Sequence, residues 1–105
     1  MIPLEDVTLL LRGWGERKSR LRVIVSSPEV TLSAFCFVYK AEGAGVAFWV
    51  GEVRDNNLIA FVLAGCVFDF ADVPPDQASL AVGGTVESGI VGVRGRFSIT
   101  VMLLS

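Results

Sequence analysis

Five basic side chains crowd one stretch of this chain: Arg12, Arg17, Lys18, Arg20 and Arg22, with only Glu16 of opposite charge among them and Trp14 beside them. Arginine presents a planar fork of donors that meets phosphate or carboxylate through paired hydrogen bonds, and tryptophan offers a face on which a base can stack. These six residues form the candidate anion-binding set. Arg20 and Arg22, two apart, share one face of a strand. The bland alternative is a solvated tip whose charges keep an edge strand from pairing with strangers. The formal net charge of −2 argues against general attraction to nucleic acid or to anionic membranes.

Catalytic chemistry is poorly provided for. The chain has no histidine, which removes Ser-His and Cys-His nucleophile pairs, histidine metal ligands and a base poised near neutral pH. Asp69 and Asp72, within Phe68-Asp69-Phe70-Ala71-Asp72, make the best carboxylate pair, because apolar neighbours can raise one acid while the other stays ionised. A strand end whose acids bond turn amides explains them more simply, and Glu52 with Asp55 is weaker still. Gly13 to Ser19 and Gly83 to Gly89 lack the spacing of a phosphate loop or dinucleotide fingerprint and read as turns. We assign no catalytic residue, metal ligand or cofactor. Cys36 and Cys66 lie inside apolar runs, as reduced and buried thiols do.

A second candidate set is aromatic: Phe35, Phe37, Tyr39, Phe48, Trp49 and Phe61. Grouped on the middle strands, they suit a pocket for an apolar small molecule, a solid core, or an interface with another subunit.

The elements that must position these residues are β-strands. Val, Ile, Phe and Thr are abundant, and Gly, Pro, Asn and Asp interrupt them at regular intervals. Seven strands are predicted, over 6–13, 20–27, 30–41, 45–54, 58–71, 79–93 and 96–104. Ser27-Pro28-Glu29, Gly43-Ala44-Gly45, Asp55-Asn56-Asn57 and Pro74-Pro75-Asp76 supply the breaks. The last pair is clearest, since Val91, Val93, Phe97, Ile99, Val101 and Leu103 alternate with small or polar residues, and Gly95 marks a bulge or bend. Strand 58–71 differs, being apolar on both faces. Near the start, Leu4, Val7, Leu11 and Trp14 fall at helical spacing behind Pro3, with Glu5 and Asp6 in the first turn. Val7, Leu9 and Leu11 also alternate, and the strand reading is favoured there because Gly13 to Ser19 then closes a hairpin into 20–27.

The chain is 105 residues long, 52% hydrophobic and 19% charged, against roughly 25% charge in an average soluble domain. Much apolar surface needs cover. No run reaches the ~18 consecutive apolar residues of a spanning helix, and the acidic start does not resemble a secretion signal. The expectation is a single all-β domain over 1–105: an antiparallel meander closed as a small barrel or sandwich, with a short N-terminal helix as the variant, in the cytoplasm. Its expected role is a non-catalytic binding or assembly module, homo-oligomeric through its aromatic-rich strands. The alternatives are an anion or nucleic-acid contact through the hairpin 12–22, or a barrel holding an apolar ligand with a carboxylate pair beside it.

Overall fold

The computed structural model describes residues 1–51, 57–71 and 86–104. One helix, α1 (Leu4–Glu16), precedes seven strands: β1 (Leu21–Ser26), β2 (Thr31–Glu42), β3 (Gly45–Val50), β4 (Leu58–Val62), β5 (Val67–Phe70), β6 (Val86–Arg94) and β7 (Phe97–Leu104). They form one antiparallel sheet in the order β4-β3-β2-β1-β7-β6-β5. The all-β class and the number of strands are as expected, and the short N-terminal helix is the variant rather than the favoured reading. The seven are not the same seven.

Residues 6–13, favoured as a strand, are helical. Pro3 stands before the helix with extended backbone, and Glu5 and Asp6 face the positive end of the helix dipole. Val7, Leu11 and Trp14 form a stripe that the sheet buries completely or nearly so, each worth about 1.5–3 kcal/mol against exposure. Gly13 to Ser19 is therefore not a hairpin loop but the end of α1. Lys18 N–H donates to Gly15 O (3.1 Å) and Ser19 N–H to Trp14 O (3.0 Å), with Lys18 at φ +56° in the left-handed region. This is the Schellman closure, made with lysine where glycine is usual.

The expected strand 58–71 is two strands at opposite edges of the sheet. Gly65, at φ +80°, lets the chain turn within Leu63–Cys66, and Cys66 N–H closes the turn on Leu63 O (3.1 Å). A link of four residues (63–66) between the two edge strands forces the sheet to curl. Arg94 Nη1 spans the approach, donating to Val62 O (3.2 Å) and Ala64 O (2.9 Å). Ile2 bridges to Phe68 in β5, with Ile2 N–H donating to Phe68 O (2.7 Å).

The sheet nevertheless stays open, contrary to the expected closed barrel or sandwich, because β4 and β5 do not pair. The physical reason is α1, which lies on the concave face and covers apolar side chains that a second sheet or full closure would otherwise cover. Leu21, Val23, Cys36, Val38, Phe48, Phe68, Ile99 and Val101 form the core with the helix stripe. Helix and β2 approach closely at Gly15, where a Cβ would stand 3.1 Å from Val38 Cγ1. Thr8 Oγ1, buried here, lies 3.0 Å from both Leu4 O and Gly43 O and shares its single proton between them. No helix of the described residues is long and apolar enough to cross a membrane.

Candidate functional site

The basic cluster is divided between two sides of the sheet. Arg12 projects from α1 and donates Nε (3.2 Å) and Nη2 (3.1 Å) to Ala41 O. It borders a cleft of about 430 Å³ between the helix end and β2, where Glu16, Lys40 and Glu42 also stand. Lys40 Nζ pairs with Glu42 Oε2 at 3.1 Å. Charges of both signs therefore line this cleft, which gives it no selectivity for an anion. Trp14 is buried in the core and offers no stacking face. Arg17 and Lys18 sit at the exposed helix end.

Arg20 and Arg22 share the convex side, as the alternation of strand β1 requires once Leu21 and Val23 point to the core. Both guanidinium groups lie over the Phe35 ring, at 4.9 Å and 4.5 Å from its centroid. Arg22 stands opposite Phe35, and its Nε donates to Ser33 Oγ at 2.8 Å. One aromatic ring thus holds two cations side by side.

The aromatic set is divided as well. Phe48 is fully buried on the concave side and meets Phe61 edge-on, with ring centroids 6.2 Å apart. Phe35, Phe37 and Trp49 lie on the convex side, with Phe37 opposite Trp49 across β2 and β3. Tyr39 meets Trp49 edge-on at 5.1 Å and is half exposed; it occupies the irregular step between Val38 and Lys40. Beyond Trp49, the convex face continues onto β4, where Leu58 pairs with Trp49 and Ala60 with Ala47. Leu58 and Val62 are 49% and 64% exposed. The result is an apolar convex surface running from Phe37 to the sheet edge.

The edge position of β4 escapes sequence reasoning, because two halves of one apolar run part to opposite ends of the sheet. The charge-free composition from Leu58 to Val62 was its only local signal. On the concave side, α1 packs chiefly on β2 and leaves an apolar cavity of about 170 Å³ beside it. Phe61, Cys36 and Val50 are among its walls. Cys36 is almost wholly buried, and burial pushes its thiol up to about 11, against a smaller opposing pull from the Arg22 charge. Cys66 is also a free thiol.

Of the carboxylates, Asp69 is exposed and its Oδ1 pairs with the N-terminal ammonium of Met1 at 3.1 Å. Asp72, Glu52 and Asp55 lie outside the described residues, as does Pro74-Pro75-Asp76. Among the described residues no group of three or more Cys, Asp or Glu side chains gathers to hold a metal ion. No family model, curated protein or solved structure matches the chain.

Proposed function

We propose that this protein is an assembly module that self-associates by pairing β4 with β4 of a second copy. The observation that carries the reading is the character of this edge. Natural edge strands are blunted by charge, proline, bulges or a covering segment. Leu58-Ile59-Ala60-Phe61-Val62 has no charge and no proline, pairs regularly with β3, and has no partner strand on its other side among the described residues.

An antiparallel pair of identical strands is self-complementary about a two-fold axis, so one contact satisfies both copies. Centred on Ala60, it sets Leu58 against Val62 of the partner subunit on the convex face. The convex apolar surface then continues across the axis, and the edge amides and carbonyls that β3 leaves unpaired are satisfied, Val62 O taking a second hydrogen bond beside the one it accepts from Arg94 Nη1. Trp49, Phe37 and Tyr39 flank the junction and enlarge the apolar area towards the roughly 1,200–2,000 Å² that stable interfaces bury.

Light scattering at micromolar concentration tests this: the expected mass is twice the monomer's 11.3 kDa. Leu58→Lys with Val62→Lys sets like charges opposite one another and yields a monomer of unchanged circular dichroism. The corresponding Leu58→Glu and Val62→Glu variant is monomeric alone and forms a mixed dimer with the lysine variant. A monodisperse wild-type monomer, or a lysine variant that stays dimeric, would remove the proposal.

A further inference from the structure

We infer that the concave face holds a binding site for a small apolar molecule, about the size of one six-membered ring or a short alkyl chain. The site is the cavity of about 170 Å³ that α1 leaves beside itself, walled by Val23, Ala34, Cys36, Val50, Ile59 and Phe61. These residues come from four adjacent strands, β1 to β4, and all point to the concave side. Leu32, also in the wall, is 52% exposed and marks the mouth.

Two observations define the ligand's chemistry. First, the volume matches an apolar cavity of ~150 Å³ that stays dry and takes up benzene or xenon. Second, the wall offers a polar ligand nothing. Ser33 reaches the wall only through its backbone, because its hydroxyl lies on the convex side and accepts a hydrogen bond there from Arg22 Nε (2.8 Å). The Cys36 thiol lies 3.8 Å from Ala34 O, its own acceptor. Among the described residues no buried side-chain nitrogen or oxygen lacks a partner. Water entering the cavity would find too few partners, whereas an apolar ring gains contacts with every wall and leaves only the mouth at Leu32 to solvent. The site is independent of β4 self-association, since it uses the concave side chains of that strand and not its edge.

The probe is fluorobenzene, titrated into the full chain and followed by fluorine NMR. Saturable binding of one equivalent is expected, with a rise in melting temperature. Phenol, which adds a hydroxyl the wall cannot pair, should bind about tenfold more weakly. Ala34→Leu fills the space and should abolish fluorobenzene binding while the circular dichroism is unchanged. A readout that needs no variant is the labelling rate of Cys36 by methyl methanethiosulfonate, which saturating fluorobenzene should slow several-fold. Non-saturable uptake, equal binding of phenol, or Cys36 labelling indifferent to fluorobenzene would each overturn the inference and leave the cavity as a packing void only.

Discussion

The Phe68 ring fills the space a side chain at Gly92 would need: a Cβ at Gly92 would stand 2.3 Å from Phe68 Cε1 and within 3 Å of two further ring atoms. The two residues face each other across β5 and β6. Phe68 is among the largest fully buried side chains, although its strand is only four residues long and lies at an edge. The absent side chain at Gly92 is the seat that lets an edge strand carry a core aromatic.

Gly92→Ala should therefore destabilise the protein, by about 1–3 kcal/mol as overpacking usually does. Phe68→Ala should cost about 3–5 kcal/mol through the cavity it leaves. In the double variant the new methyl group enters the space vacated by the ring, so the two losses should not add. Urea denaturation of the four proteins measures the cycle. Additive losses would show that the Cβ at position 92 meets some other obstacle.

Cys36 makes stability depend on pH in the alkaline range. Its folded thiol is raised from an ordinary 9.0 to about 11, chiefly by burial. Between those values the unfolded chain has released the proton and the folded chain still holds it. The folded state thus binds more protons there, and stability falls as pH rises. The contribution is fully present below pH 9 and is lost as pH climbs through about 11. Denaturation midpoints of wild type and Cys36→Ala, compared at several pH values, should run parallel up to pH 9 and converge or cross above it. Parallel curves throughout would mean that the thiol titrates alike in both states.

Legibility in the sequence followed how local each determinant was. The alternation from Phe97 to Leu103 is a property of neighbouring residues and marks the core face of β7, where Ile99 and Val101 are buried. In β6 the expected face is reversed, since Ile90 and Gly92 face the core while Val93, 44% exposed, stands opposite Ser98, with Gly95 in the turn between the strands. Leu4 to Trp14 satisfied two periods at once because Leu9 and Leu10 fill the gaps in the helical stripe; only the concave sheet, which buries Val7, Leu11 and Trp14 and leaves Leu9 exposed, decides for the helix. Residues 58–71 concealed a turn at Gly65, since apolar side chains continue through it. The candidate sites were less legible still. The aromatic set reads as one group along the chain, yet Phe48 and Phe61 face the helix side while Phe35, Phe37 and Trp49 face away. The basic stretch likewise crosses from helix to strand between Arg12 and Arg20, which sends its members to opposite sides of the sheet.

That division limits what the basic residues can bind. Arg12 is committed to Ala41 O on the helix side, so a phosphate chain on the convex side meets Arg20 and Arg22 as its paired cations, both held over Phe35. Two phosphate contacts give a shallow salt dependence, a slope of about −1.4 in log affinity against log salt for a single strand. If the two arginines do contact a phosphate chain, an oligonucleotide titrated at two low salt concentrations should bind weakly with a slope near that value. Arg20→Ala with Arg22→Ala should abolish the binding at a cost of about 1 kcal/mol in stability, because Arg22 also gives up its Ser33 hydrogen bond. A slope about twice as steep would bring Arg17 and Lys18 into the contact. Equal binding by wild type and variant would put the anion elsewhere on the chain, and no binding by wild type at low salt would leave the two arginines as cover for Phe35.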